Sequence, residues 1–215
     1  MPHAGRVDPR FSILGRGRAG RSLAQAWGAR VDLLPHDARP EGFVLLAVPD
    51  RAVAEVASAF PGRCAHLSGS LHLPEVPGAH PLTSFTGDPG PWPGTPLALD
   101  GAVPEWLPRA FQDLGFLPFA LDPRLKALYH ACAVLTSGHA ATLWLGAQAL
   151  LEAEGVRLPG RGFLPLAEAT LRNVEAKGAE GRTGPFVRGD APTIQRDAEA
   201  LPPEWRELFL RLGTL

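Results

Sequence analysis

Gly15-Arg16-Gly17-Arg18-Ala19-Gly20 has the spacing G-x-G-x-x-G. Between a strand and a helix, that spacing meets three needs: a tight turn, close backbone approach to a pyrophosphate, and close packing of helix on strand. The helix N-terminus then offers its free amides to phosphate oxygens. Gly15, Arg16, Gly17, Arg18, Ala19 and Gly20 are therefore the candidate dinucleotide contacts. An acidic residue about twenty positions on would bond an adenosine ribose. There the chain reads Leu33-Leu34-Pro35-His36-Asp37-Ala38-Arg39. Asp37 suits NAD, whereas His36, Arg39 or Arg16 suits the extra phosphate of NADP, and the window leaves both open.

A second group lies downstream. At 100° per residue, Lys126, His130 and Ser137 fall within about 40° of one another on a helix, with Tyr129 beside them. A polar stripe on an otherwise apolar helix fits the wall of an active site, since Lys or His can give a proton to a developing alkoxide. The competing reading has Lys126 exposed at the helix start and His130 hydrogen-bonded in a core, because Lys is almost never fully buried unpaired. His66, Ser68 and His80 fall at strand ends, on the edge where doubly wound folds bind ligands. There Ser68 and the Gly69 amide are placed to hold a carboxylate or carbonyl. Cys64, His66 and His72 are irregularly spaced in a proline-rich stretch, so no metal site is expected. Arg188 and Asp190 read either as site residues or as an ion pair.

These groups need elements to position them. Phe11–Leu14 reads as a strand ending at Gly15, and Arg18–Trp27 carries Ala19, Leu23, Ala26 and Trp27 on one helical face. Strands follow at Val31–Leu34 and Phe43–Val48, the latter a continuous apolar run typical of a sheet covered on both faces. A helix capped by Asp50 covers 51–60. Cys64–Leu67, Leu97–Leu99 and Leu117–Leu121 read as strands, Glu105–Leu114 as a helix and Leu71–Pro96 as loop. Only His36–Gly42 separates two strands that a helix of a dozen residues or more would ordinarily join, which pares down the adenosine side of the pocket. From Pro123 the pattern turns helical: one helix over Arg124–Glu154, about 45 Å at 1.5 Å per residue, then Leu164–Lys177, Thr193–Leu201 and Pro203–Leu212, with a loop over Gly178–Asp190.

Composition bounds the remaining choices. The 215 residues are 45% hydrophobic and 20% charged with a net charge of -1, so neither nucleic acid nor an anionic membrane is an expected partner. Cys64 and Cys132 have no framework spacing, which points to a reducing compartment. Met1–Arg10 has no apolar leader, and the expected location is the cytoplasm. Ala131–Leu151 lacks charge, yet Thr136, Ser137, His139, Thr142 and Gln148 are costly in lipid. Its surplus apolar surface instead predicts a homodimer built on the helical half. All but Lys126 and Lys177 of the 21 basic residues are arginine, a bias blind to function.

The ordered motifs Gly15–Gly20, Leu46-Ala47-Val48-Pro49-Asp50, His66-Leu67-Ser68-Gly69, His80-Pro81-Leu82, Leu128–Ala133 and Thr183–Asp190 resemble those of a family of NADP-dependent oxidoreductases. In that family a Rossmann-like domain precedes an uncharacterised all-helical domain. Its relatives include pyrroline-5-carboxylate reductase and the 6-phosphogluconate dehydrogenase type of hydroxyacid enzyme. The resemblance implies an α/β Rossmann-like parallel-sheet domain over 1–121 and an all-α domain over 122–215. It further implies an NADP cofactor (NAD being the other option), cofactor contacts at Val48 and Pro49, and a small-molecule substrate. The chain departs from the pattern in its shortened adenosine side, in Gly138 where an asparagine is expected, and in Asp197 where a histidine is common.

The expected activity is hydride transfer between NADP and a small C=O or C=N substrate. The expected catalytic residues are Lys126, His130 and Ser68, and Arg39 is expected on the cofactor phosphate. The alternative is a non-catalytic dinucleotide-binding or scaffold protein.

Overall fold

A computed structural model describes residues 10–215. The absence of an apolar leader in Met1–Arg10 concerns residues outside that range, Arg10 excepted. The chain forms two compact units, one ending at Ala140 and one spanning Ala141–Leu215.

The first unit is built on a seven-stranded sheet of order β2-β1-β3-β4-β5-β6-β7. The strands are β1 Phe11–Leu14, β2 Val31–Leu34, β3 Val44–Leu46, β4 Cys64–His66, β5 Gly78–Pro81, β6 Thr95–Asp100 and β7 Phe116–Ala120. Neighbouring strands are parallel except β5 and β6. Helices α1 Arg18–Trp27, α2 Asp50–Ala57 and α3 Trp106–Gln112 cover it. Every residue of β1 and β3 is buried. Phe11 and Ile13 face one core with Leu23, Trp27 and Phe111, while Leu14 faces the other with Val53 and Phe60. Burial on both faces is why these strands read as unbroken apolar runs rather than alternating ones. Each such side chain contributes about 1.5–3 kcal/mol.

β5 lies inside the stretch expected to be loop. Gly78-Ala79-His80-Pro81 has no β-branched residue and ends in Pro, so nothing local marks it; it is held by pairing across to β6. The β2-to-β3 connection crosses over β1 without a helix, as the short spacing required.

The long helix is also not uniform. A 3₁₀ turn at Pro123–Leu125 leads into α4, Lys126–Val134; a π segment covers Leu135–His139 and α5 covers Ala140–Ala153. The compact units divide within this helical run, later than the change of composition near residue 121 suggests, because α4 packs by side chains onto β5 and β6.

The second unit holds most of α5, together with α6 Leu164–Lys177, α7 Pro185–Arg188, α8 Ala191–Ala200 and α9 Pro203–Gly213. α7 falls in the stretch expected to be loop. Asp190 accepts a hydrogen bond from the Thr193 amide at 3.3 Å and so caps α8. Among hydrophobic side chains of this unit only Ala198 is buried. Leu143, Trp144, Phe163, Leu171, Trp205 and Phe209 line an open apolar groove of about 530 Å³. Among the described residues no helix is long and apolar enough to cross a membrane.

Candidate functional site

The carboxyl ends of β1, β3 and β4 meet three loops. Main-chain hydrogen bonds step across this edge: Gly15 N to Leu34 O at 3.0 Å, Ala47 N to Leu14 O at 2.8 Å, and Leu67 N to Leu46 O at 3.1 Å. β1 is the point at which strand order reverses, since β2 lies on one side and β3 on the other. Crevices of this kind take ligands in open α/β sheets.

The three glycines of the first loop differ in their surroundings. Gly15 has φ +114°, and a Cβ there would overlap the Ala47 carbonyl oxygen and stand 3.4 Å from Val48 Cγ1. A Cβ on Gly20 would overlap the Gly15 carbonyl oxygen, which lets α1 lie against β1. Gly17, by contrast, has nothing within 4 Å of that position. Two glycines are thus required by the protein's own packing, while the middle one opens onto empty space at the N-cap of α1.

No side chain caps that helix and no acidic residue occupies its first turn, so the first amides of α1 and its dipole remain available to an anion. Arg16 and Arg18 are exposed beside them. The Arg16 carbonyl accepts from Arg21 at 2.9 Å, which braces the turn. Val48 and Pro49 complete the opposite lip, and Pro49 leads into α2. A pyrophosphate fits this cradle.

Arg39 does not join it. Its guanidinium donates to the Asp37 and Ala38 carbonyls and lies 5.9 Å from the Phe60 ring centre. Phe60 precedes the start of β4, at the amino edge of the sheet. The descending β2-to-β3 loop therefore carries Arg39 away from the glycine turn and leaves His36 and Asp37 nearer the carboxyl edge.

A second cluster forms where α4 runs beside β5. Lys126 is 2% exposed, and its Nζ donates to Asp100 Oδ2 at 2.6 Å. His72 Nδ1 stands 3.5 Å from the same oxygen. Burial lowers the Lys126 pKa, and Asp100 opposes that shift. A Cβ on Gly78 would overlap Asp100 Oδ1 and come within 2.5 Å of Lys126 Nζ and 3.0 Å of His66 Cε1, so this glycine makes the ion pair possible. The pair is a lock between β6 and α4. Neither expectation for Lys126, an exposed residue or an open catalytic acid, describes it, because the ammonium is buried and donates to Asp100.

His66 is fully buried. Its Nδ1 accepts from the Ser68 amide at 3.2 Å, while its Nε2, like Asp100 Oδ1, has no hydrogen-bond partner among the described residues. Burial first, and then the nearby Lys126 charge, hold its pKa down at about 4. Ser68 is also tied into its turn, since its Oγ accepts from the Ser70 and Leu71 amides at 3.3 and 2.9 Å. Only its hydroxyl hydrogen is left to offer.

One helical turn above Lys126, Tyr129 and His130 meet His80. Tyr129 Oη and His80 Nδ1 are 3.1 Å apart, and the His80 and His130 rings are 5.9 Å apart. Burial holds the Tyr129 pKa up at about 12, so it keeps its hydrogen. Burial first, then His130, hold His80 at about 4, so its ring is neutral. Tyr129 Oη has no other hydrogen-bond partner among the described residues. With Tyr129 as donor to Nδ1 the His80 proton sits on Nε2, and with the opposite tautomer Nδ1 donates to Tyr129 and Nε2 accepts. That nitrogen faces Gly69: a Cβ there would lie 2.6 Å from His80 Nε2 and 2.5 Å from His130 Cδ2. Ser137 lines a neighbouring cavity through the π segment.

The structure therefore gathers His66, Ser68, Gly69, His80, Tyr129 and His130 next to one another. Tyr129 was visible beside the polar stripe of the long helix and His80 as a residue at a strand end, but Asp100 carried no sequence signal for its partnership with Lys126. Among the described residues no group of three His, Cys, Asp or Glu side chains has metal-binding geometry.

A family described as a domain of unknown function, DUF2520, matches residues 97–215, over half of the chain. The chain belongs to the DUF2520 family. No curated protein matches it by sequence. Solved structures do match. A Bacteroides fragilis protein of inferred NADP oxidoreductase function, BF3122, is 19% identical with TM-score 0.76, over 96% of this chain and 97% of that one. Protein TM1727 from Thermotoga maritima is 18% identical with TM-score 0.72, over 95% of each chain. The reductive aminase from Aspergillus terreus, solved with NADPH and ethyl-5-oxohexanoate, is 15% identical with TM-score 0.58, over 97% of this chain and 88% of that one. The DUF2520 protein thus shares with them the Rossmann-like fold followed by helices.

Proposed function

We propose that this DUF2520 protein is an oxidoreductase that uses NADP and reduces a small C=O or C=N compound at the carboxyl edge of its sheet. The observation that carries the proposal is the open face of Gly17 between two glycines that packing forbids to change. NADPH, when bound, supplies hydride. Gly15, Gly17, Ala19 and Gly20 hold the pyrophosphate by main chain, and Val48 and Pro49 form the opposite wall. Arg16 and Arg18 stand nearest for the additional phosphate, in place of Arg39. With Tyr129 donating to Nδ1, His80 presents Nε2–H beside Gly69, and His130 stands against the same backbone. A carbonyl oxygen seated there accepts a hydrogen bond from the neutral ring, and once hydride reaches the carbon the resulting alkoxide takes its proton from solvent. Ser68 fixes the loop that carries Gly69, and Lys126 fixes the helix that carries His130.

The second unit supports a homodimer: with Ala198 as its only buried hydrophobic residue, it lacks a core of its own, and a second copy covers the apolar groove. The free thiols of Cys64 and Cys132 suit the cytoplasm.

Calorimetric titration with NADPH and NADH tests the reading. Saturable binding with NADPH tighter than NADH is expected, and Arg16→Ala narrows the gap. Absence of binding by either nucleotide overturns it. The short β2-to-β3 connection favours the second reading, a dinucleotide-binding protein without turnover. That reading predicts NADPH binding with no oxidation of NADPH by any carbonyl or imine.

A further inference from the structure

Beside His80 and His130 lies a cavity of about 300 Å³, and Thr83, Ser84, Thr136 and Ser137 are its other polar lining; the remainder is aliphatic. No Lys, Arg, Asp or Glu lines it. The lining thus offers an anion no Lys or Arg counter-charge. Removing a carboxylate from water without a counter-charge is costly.

The hydroxyls are directional as well. Ser137 Oγ donates to the Ala133 carbonyl at 2.7 Å, and Thr136 Oγ1 donates to the Cys132 carbonyl at 3.0 Å. With their hydrogens committed to the helix, these two oxygens offer only lone pairs, so a ligand must bring a donor to them. In the tautomer in which Tyr129 donates to Nδ1, His80 Nε2–H offers the opposite, a donor that seeks an acceptor such as a carbonyl. The π segment, a geometry frequent at functional sites, supplies Thr136 and Ser137.

We infer that this cavity takes an uncharged carbonyl compound carrying a hydroxyl group, with the carbonyl oxygen at His80 and the hydroxyl donating to Ser137 or Thr136, and that it rejects keto acids. The inference rests on reading the carboxyl edge as a reductase site and names the substrate class of that site.

Ligand-observed NMR titration of the full chain with 5-hydroxy-2-pentanone, 2-pentanone and 4-oxopentanoate provides the test. The hydroxyketone binds most tightly, and the keto acid of matching length binds about tenfold more weakly or worse. The double variant Thr136→Val, Ser137→Ala, which replaces each residue by one of equal or better helix propensity at exposed positions, weakens hydroxyketone binding about three- to tenfold and leaves 2-pentanone unchanged. Equal or tighter binding of 4-oxopentanoate overturns the inference. So does indifference of the hydroxyketone to the double variant, or saturable binding by neither hydroxyketone nor keto acid. NADPH titration of the same samples keeps the two questions apart: its failure removes the reductase reading, whereas its success with the wrong ketone order removes only the substrate class.

Discussion

Replacing Lys126 by Met removes the cation from a pair in which both side chains are 2% exposed and the atoms are 2.6 Å apart. Asp100 is then left with His72 at 3.5 Å on one oxygen and no partner on the other. An uncompensated buried carboxylate costs about 3–5 kcal/mol. At a urea slope of about 2 kcal/mol per molar, that loss lowers the midpoint by about 2 M. Urea unfolding followed by tryptophan fluorescence, with Trp144 and Trp205 changed to Phe so that Trp27, Trp92 and Trp106 report, measures it in the first unit. Asp100→Leu together with Lys126→Met removes both charges, and the double variant unfolds later than Lys126→Met alone. A loss under about 1 kcal/mol in the single variant, or a double variant no better than the single, refutes the description of this pair as a buried lock.

The glycine cradle predicts a separation of stability from binding: Gly17→Val, at φ -70° and in open space, leaves the melting temperature near the parent's while calorimetry detects no NADPH binding. Gly20→Ala, whose methyl would overlap the Gly15 carbonyl, lowers the melting temperature. His66 and His80, held at about 4 against an ordinary 6.5, take up protons on unfolding between those values. Stability therefore falls as pH drops below 6.5 and continues falling to about 4, by up to about 3 kcal/mol per histidine; His66→Asn flattens the profile of denaturation midpoint against pH. Leu166→Asp on the exposed helical surface converts a dimer to a monomer in sedimentation velocity, and a parent chain that already sediments as a monomer at micromolar concentration refutes the dimer.

The parts of the fold that were legible in the chain are those in which local pattern and tertiary demand agree. Phe11–Leu14 and the glycines after it announce strand, turn and helix because each residue type answers a need within a few positions. β5 stayed hidden because its residues have no strand preference and its pairing partners lie far along the chain. The π segment is invisible to a periodicity of 3.6, yet it bears Ser137. Arg39 has the right charge at the right distance in sequence, but a loop without a helix redirects it toward Phe60. Lys126 illustrates the same limit, since its burial depends on an aspartate whose position is set only once β6 pairs with β5.

The helix-free passage from β2 to β3 also bears on the order in which the molecule assembles. Parallel strands usually wait for a long crossover, and the chain entropy of closing it slows their pairing. A connection over residues 35–43 is about half the roughly twenty residues that lie between the strands of a βαβ unit of some thirty, which makes closure cheaper by about 0.7 kcal/mol. β1, β2 and β3 can therefore dock early, before the β5–β6 pair and α4 exist to present His80 and His130. The nucleotide cradle would then be among the first parts of the molecule to acquire its native contacts, and the hydrogen-bonding cluster among the last.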